Sequence, residues 1–155
     1  APHLHPKDPI KRARNRAWTD FVPDFSKGLS AAYRRETVAE MEAGRPDAEK
    51  VLGKLEDAIK AERGNDGPYF NGDTLCLVDA AYAPFFQRFM IAEEILNTGL
   101  LDGFPLVKAW CEALLASELV TGSVADSFVP EFKASMKRYG YHIGNLFEQE
   151  AVAAE

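Results

Sequence analysis

Residues 71–84 read NGDTLCLVDAAYAP, a polar loop that turns into an apolar helix. Cys76 and Asp79 have the spacing of the N-cap and N3 residues of a capping box, in which the N3 carboxylate accepts from the N-cap amide. Because a thiol is a weak acceptor, we expect the reciprocal half of this box to be weak. The segment therefore predicts a helix that begins immediately after Cys76, with Cys76 and Asp79 as its structural caps.

The helix that follows carries no charged side chain between Asp79 and Arg88. From Leu77 to Ile91 it is apolar on nearly every side, a pattern typical of a helix surrounded by other helices. Pro84 lies inside this run and predicts a bend. We therefore expect a buried central helix.

Helix signals precede this central helix. Asp8-Pro9 combines an N-cap with a proline at the first helical position and predicts a first helix. Pro23 predicts a kink in it, or two helices in near-continuation that end near Gly44. Arg45-Pro46-Asp47 then predicts a restart, with Gly64 as the stop.

Further helices are predicted after the central one. Phe104-Pro105 predicts another helix, and residues 126–138 predict one more. The segment after Gly140 is polar and acidic, so we expect a loosely held tail. With no alternating strand pattern in the sequence, the fold class is all-α, a bundle of about five to six helices around the buried central helix.

Composition and charge exclude several function classes. The 155 residues carry a formal net charge of −6, which argues against the basic surface that a nucleic-acid partner requires. The longest stretch without Asp, Glu, Lys or Arg, residues 139–147, is about half of what a membrane-spanning helix needs, so no membrane partner is predicted. Cys76 and Cys111 form no CxxC motif, which favours a reducing, cytoplasmic location. His3, His5 and His142 have no metal-ligand spacing, and we expect no metal.

Residues 71–84 resemble the start of the central helix in the C-terminal domain of cytosolic glutathione S-transferases, where a Ser or Thr cap is followed three residues later by Asp. Other landmarks of that domain occur in the same order, so that the resemblance covers roughly residues 3–139: Asp8-Pro9, Trp18, Phe104-Pro105, Trp110 and a last helix near Asp126.

The resemblance implies a division of the chain. Residues 8–139 would be the helical substrate-binding domain, residues 140–155 a tail, and residues 1–7 a linker from a thioredoxin-like N-terminal domain that is missing here. Because the sequence begins with Ala1 and not Met, we expect further sequence upstream.

In such proteins the thioredoxin-like domain binds the co-substrate glutathione. This chain would then be the half that binds the second substrate, a small hydrophobic or electrophilic molecule. It would be inactive by itself, with no catalytic residue of its own, and the full-length protein would be a homodimer that carries out conjugation or an omega-like thiol transfer or reduction. The alternative is a stand-alone protein–protein interaction module of the same shape.

Candidate substrate-binding residues also come from the resemblance. Pro84-Phe85-Phe86-Gln87-Arg88 is similar to a Pro-x-x-x-Arg segment of omega-like members, in which the Arg borders the substrate pocket. Phe128 is the nearest equivalent of an aromatic residue that lines the same pocket. The family further implies a cleft-facing role for three residues of the first helix: Trp18, Phe21 and Val22.

The residues themselves leave other interpretations open. Arg88 could form an ion pair with Glu93 or Asp79 and only stabilise the bundle. Helical spacing alone would place Trp18, Phe21 and Val22 in the core.

Overall fold

The computed structural model describes residues 4–155, and its regular structure over that range is entirely helical, which confirms the all-α fold class. Residues 1–3, which include His3 and the start of the expected linker, lie outside the described residues. The helices are α1 (Pro9–Asp20), α2 (Val22–Ser30), α3 (Val38–Glu62), α4 (Leu77–Leu96), α5 (Pro105–Ala116), the single turn α6 (Glu118–Thr121), α7 (Phe128–Arg138) and α8 (His142–Ala153), with a short 3-10 helix at Leu100–Gly103.

The predicted buried central helix is confirmed as α4. Tyr82 and Phe86 are fully buried and pack on aromatic side chains of two other helices. The ring centroid of Phe25 in α2 lies 5.0 Å from that of Tyr82, and that of Trp110 in α5 lies 5.3 Å from that of Phe86. Burying side chains of this size stabilises the fold by about 2 kcal/mol each, so α4 organises the core.

Both prolines near the predicted bends lie inside helical structure. Asp8 accepts a hydrogen bond from the Lys11 backbone N–H at 2.7 Å and starts α1 as expected. Only Phe21 separates α1 from α2, and Pro23 occupies the first turn of α2, where its missing N–H costs little. α4 continues through Pro84 as one helix.

The predicted helix boundary near Gly44 is wrong, because α3 begins earlier and continues through Gly44 and Pro46. Its start is a capping box: the Thr37 N–H donates to Glu40 Oε2 at 3.1 Å, and the Glu40 N–H donates to Thr37 Oγ1 at 3.2 Å. A Cβ on Gly44 would lie 2.0 Å from the Ala31 carbonyl oxygen. Gly44 thus allows the turn after α2 to pack against the side of α3.

The expectation of a loosely held tail is also wrong, because residues 142–153 form α8 and pack on α7 and α4. Ile143 and Phe147, four residues apart on one face, are buried. A Cβ on Gly144 would lie 2.4 Å from the Lys137 backbone nitrogen, so the glycine lets the helix approach α7 closely. The acidic residues lie on the opposite, exposed face, which is why composition alone suggested a tail.

The start of α5 is capped by a side chain from another helix. Phe104 precedes α5 and offers no side-chain acceptor. Glu56 of α3 accepts from the backbone N–H groups of Leu106 and Val107, at 3.0 and 2.8 Å. A carboxylate at a helix N-terminus satisfies otherwise unpaired donors and interacts favourably with the helix dipole.

Candidate functional site

Asp79 is fully buried and accepts hydrogen bonds from three different parts of the chain. Its Oδ2 accepts from the Cys76 N–H at 2.7 Å, and the Cys76 sulfur is the reciprocal acceptor of the capping box. Its Oδ1 accepts from the Phe70 N–H at 2.9 Å and from Trp110 Nε1 at 2.7 Å. Asp79 therefore joins the loop before α4, the first turn of α4 and α5, in addition to its role as a cap.

The two cysteines are buried thiols in an apolar setting. Burial, followed by the charge of Asp79, raises the pKa of Cys76 to about 12. Burial likewise raises the pKa of Cys111 to about 12. Since only a thiolate is strongly nucleophilic, neither cysteine is suited to covalent catalysis at neutral pH.

Arg88 and Phe128, both candidates from the sequence, lie in contact. The Cζ of Arg88 is 5.1 Å from the centroid of the Phe128 ring, so the first residue of α7 contacts a side chain from the middle of α4. Arg88 Nη1 donates to the carbonyl of Pro84, one turn earlier, at 2.8 Å. The guanidinium is thus half-buried between a helix backbone and an aromatic face.

The ion pairs considered for Arg88 are not formed. Glu93 instead accepts from the backbone N–H and the hydroxyl of Thr98, the latter at 2.6 Å, and closes the C-terminal end of α4. Asp79 is occupied by its three donors. Over residues 4–155, Arg88 forms no ion pair with any carboxylate.

Trp18 of α1 and Phe21, the residue between α1 and α2, form a second, separate pair. Their rings meet edge to face with centroids 5.6 Å apart, and Lys54 Nζ of α3 lies 5.4 Å from the Phe21 ring centroid. Together with Arg14 and Ala17 these residues line a groove of about 310 Å³. Both aromatic residues are only half-buried, so they border the core and the surface at once. Val22 is partly buried against the core and does not line this groove.

Arg34 and Tyr33, which the sequence did not single out, adjoin the Arg88 site. Arg34 Cζ lies 5.6 Å from the Tyr33 ring centroid and 5.8 Å from that of Phe132. Phe132 in turn stacks on Phe128, with ring centroids 6.4 Å apart. We refer to Tyr33, Arg34, Arg88, Phe128 and Phe132 as the arginine–aromatic cluster.

A cavity of about 360 Å³ lies elsewhere, between α3, α4 and α8, and neither Arg88 nor Phe128 lines it. Its polar lining includes Arg45, whose guanidinium is already bound to the Glu49 carboxylate and the Thr98 carbonyl. The rest of the lining is mixed, with the polar residues Glu42, Thr98 and His142 among apolar ones.

Residues 4–155 contain neither a candidate metal site nor a candidate membrane span. No group of three or more His, Cys, Asp or Glu residues in that range is placed to hold a metal ion. No helix described there combines the length and the apolar character needed to cross a membrane.

Comparison with known proteins identifies relatives of this domain. The family profile for the glutathione S-transferase C-terminal domain matches residues 38–113. The chain is 33% identical to glutathione S-transferase U19 of Arabidopsis thaliana over 137 residues, which cover 86% of this chain and 59% of that protein. It is 32% identical to the probable glutathione S-transferase parC of Nicotiana tabacum, over 81% of this chain and 55% of that protein.

A solved structure of similar fold is glutathione transferase Omega 3C from Trametes versicolor. It superposes with a TM-score of 0.71 and 27% identity, over 89% of this chain and 57% of the other. The chain thus spans about half to three fifths of the length of the curated relatives that it matches.

Proposed function

Since this chain belongs to the glutathione S-transferase family, we propose that it is the helical half of a glutathione-dependent transferase and binds the second substrate. In this proposal a thioredoxin-like domain in cis, joined through residues 1–7, binds glutathione and ionises its thiol. Residues 8–139 supply the wall that receives a small hydrophobic or electrophilic molecule, and α8 completes the bundle. The domain by itself would have no transferase activity.

The observation that carries the proposal is the unpaired guanidinium of Arg88. A charged group that is partly removed from water is costly unless an opposite charge or several hydrogen bonds compensate. Among residues 4–155, Arg88 receives compensation from one carbonyl and one aromatic face only. A carboxylate or carbonyl on the second substrate would supply the missing acceptor and would be oriented by it.

Trp18 and Phe21 have a different part in the proposal, which Val22 does not share because it does not line their groove. The groove along Trp18 and Phe21 is apolar, with cationic side chains at its edge. We place the hydrophobic body of the second substrate against this wall and its polar group toward Arg88. The thioredoxin-like domain would close the cleft between this groove and Arg88.

The wider setting follows from the same family membership. The full-length protein would be a cytoplasmic homodimer with glutathione as co-substrate. The similarity to an omega transferase supports thiol transfer or reduction beside conjugation as the reaction class.

The first test uses the isolated chain and isothermal titration calorimetry. We expect no glutathione binding at micromolar concentrations, because the groups that would bind and ionise the thiol belong to the other domain. Micromolar affinity of residues 1–155 for glutathione would contradict the assignment of glutathione binding to the thioredoxin-like domain.

The second test uses the two-domain protein and the substitution Arg88→Ala. A charge-assisted hydrogen bond contributes roughly 1.5 to 3 kcal/mol, so kcat/KM for an anionic or glutathionylated substrate should fall about 10- to 150-fold. Arg88→Lys should recover only part of this, since an ammonium lacks the planar fork. Arg16→Ala, which removes the same charge from an exposed position of α1, is the control.

The melting midpoint of each preparation separates function from structure. Unchanged kcat/KM together with a large loss of stability would refute the role of Arg88. A two-domain protein without any glutathione-dependent activity would instead favour the interaction-module alternative.

A further inference from the structure

Asn71 and Gly72 form an Asn-Gly dipeptide, which occurs once in the sequence. This dipeptide is chemically labile, because glycine has no side chain to obstruct its backbone nitrogen when that nitrogen attacks the asparagine side chain. The fold nevertheless requires glycine at position 72. Its φ of +139° is one that other residues rarely adopt, and a Cβ there would lie 2.6 Å from Asn65 Oδ1. The loop before α4 thus retains a labile dipeptide for a structural reason.

Hydrogen bonds hold both reacting groups of this dipeptide. The Asn71 side chain is paired with Asn15 of α1, and Nδ2 of each amide donates to Oδ1 of the other, at 2.6 and 3.1 Å. The attacking nitrogen is that of Gly72, whose N–H donates to the Tyr69 carbonyl at 3.2 Å. Attack on Asn71 Cγ requires the side chain and this nitrogen to leave these positions. The reaction therefore needs a local opening of the structure.

The pairing with Asn15 is the stronger of the two restraints. Asn15 is only 2% exposed, so water cannot replace Asn71 as the partner of its amide while α1 is docked. The two asparagines are 56 residues apart in sequence, and the pair joins α1 to the loop before α4. It opens only when α1 moves away from that loop. The rate of attack on Asn71 should therefore depend on how firmly α1 is docked.

We propose that Asn71 is a site of spontaneous deamidation and that its pairing with Asn15 sets the rate. The Gly72 nitrogen gives its proton to solvent and forms a bond to Asn71 Cγ, while the side-chain nitrogen takes up a proton and leaves as ammonia. Water then opens the resulting succinimide at either of its carbonyl carbons and leaves aspartate or isoaspartate at position 71. The reaction consumes water and releases ammonia, so it requires no enzyme and no cofactor.

The product of this reaction cannot restore the pairing. A carboxylate at position 71 has no donor for Asn15 Oδ1, which would then face a negative charge in a nearly dry place. Lys11 lines the same small cavity as Asn71 and offers this carboxylate an opposite charge. Deamidation should therefore turn the side chain from Asn15 toward Lys11 and loosen α1 from the loop. Because the reaction does not reverse, loosened molecules accumulate as the protein ages.

The first experiment measures the rate of conversion at Asn71 by mass spectrometry of the aged chain. Trypsin releases residues 64–88 as one peptide, which also contains the exposed Asn65 as an internal reference. Asn15→Leu removes both hydrogen bonds of the pair and should accelerate conversion of Asn71 about 10-fold, without changing that of Asn65. Asn145→Leu removes an exposed asparagine of α8 and should leave both rates at the wild-type value.

Two outcomes of this experiment would overturn the proposal. Equal rates at Asn71 in the wild type and in Asn15→Leu would show that Asn15 does not set the rate. Absence of conversion in Asn15→Leu, over a time in which the urea-unfolded chain converts, would show that Asn71 is no site of deamidation. If Asn15→Leu fails to fold, the wild type is aged in urea below its unfolding transition. Conversion should then rise while the helical circular dichroism is retained, and a rise only on global unfolding would refute the proposal.

The second experiment tests the consequence for α1 with Asn71→Asp, which reproduces one product of the reaction. We expect its melting midpoint to fall by about 5 °C and the backbone amides of residues 9–20 to exchange hydrogen faster. Asn145→Asp introduces the same charge beside Lys137 and should cause neither change. Unchanged exchange in residues 9–20 of Asn71→Asp would show that deamidation does not loosen α1. Neither experiment requires glutathione, so both outcomes are independent of the transferase assignment.

Discussion

Two charged side chains of α4, one in its first turn and one in its middle, differ in how completely the protein satisfies their hydrogen-bonding groups. Asp79, in the first turn, is fully buried and accepts three hydrogen bonds. Arg88, in the middle, is half-buried and has one carbonyl and one ring as partners. Both are central in the fold, and both lie on the same helix.

The difference separates a structural charge from one available to a ligand. All the donors around Asp79 come from the protein, so nothing remains for a substrate to do there. Around Arg88 the protein supplies too few acceptors for a guanidinium, which has five N–H donors. Substitutions can test this contrast, because replacing Asp79 should lower the stability of the fold, whereas replacing Arg88 should weaken ligand binding.

The largest effect is expected for Asp79→Ala. The change leaves three buried donors without an acceptor, on Phe70, Cys76 and Trp110, and each such loss costs about 1 to 3 kcal/mol. We expect at least about 3 kcal/mol of lost stability in urea unfolding. Asp79→Asn, which keeps one oxygen acceptor, should cost less. A loss below about 1 kcal/mol for the alanine variant would mean that Asp79 does not hold the three segments together.

A smaller loss is expected for Glu56→Ala, which extends the comparison to a satisfied carboxylate on another helix. Leu106 and Val107 would lose their capping acceptor at the start of α5. Helix caps typically contribute about 1 to 2 kcal/mol. Glu56→Gln retains an acceptor, so its free energy of unfolding should lie between those of Glu56→Ala and the wild type in the same denaturant series. Equal stability of all three proteins would argue against the cap.

Arg88→Ala should lower stability by only about 1 kcal/mol, since it removes one part-buried hydrogen bond and one cation–π contact. The measurement is the thermal midpoint of the isolated chain. A loss of about 3 to 5 kcal/mol, as for a broken buried ion pair, would show that Arg88 has a structural role like that of Asp79.

The smallest effect is expected for Cys76→Ser at pH 7. A hydroxyl accepts the Asp79 N–H better than a sulfur does, so the variant should be neutral or more stable by up to about 0.5 kcal/mol. A loss above about 1 kcal/mol would show that packing of the sulfur outweighs the cap.

The same variant has a distinct dependence on pH. The pKa of Cys76 is raised to about 12 in the folded chain, so its contribution to stability is complete below the ordinary thiol range and is lost as pH rises from about 9 toward 12. Cys76→Ser removes this group and should flatten the alkaline part of the stability curve. Cys111→Ser should flatten it too, since burial raises that pKa to about 12, but without any gain at pH 7.

Local signals account for the parts of the fold that the sequence predicted correctly. The starts of α1 and α5 depend on Asp8-Pro9 and Phe104-Pro105, which act within one turn. The central helix was predictable because its apolar character extends all the way round. The start of α3 differs from the prediction because the capping box of Thr37 and Glu40 begins the helix, and Pro46 lies inside it.

The site was predictable only in part. A family resemblance suggested Arg88 and Phe128, and the structure brings them into contact. Arg34 lies beside Arg35 and Glu36 in a polar stretch, where an arginine carries no functional signal. Its place in the arginine–aromatic cluster comes from the contact of Arg34 with Phe132 of α7, a residue about a hundred positions further along the chain.

Asn15 and Asn71, which are 56 residues apart in sequence, form two hydrogen bonds through their side-chain amides. Asn15 Nδ2 donates to Asn71 Oδ1 at 3.1 Å, and Asn71 Nδ2 donates to Asn15 Oδ1 at 2.6 Å. Asn15 is almost completely buried, so replacing either residue alone leaves an amide without a partner, whereas replacing both with apolar residues of similar size can be nearly neutral. During evolutionary drift these two positions should therefore change together or not at all, and in homologues of this domain they should covary as a pair.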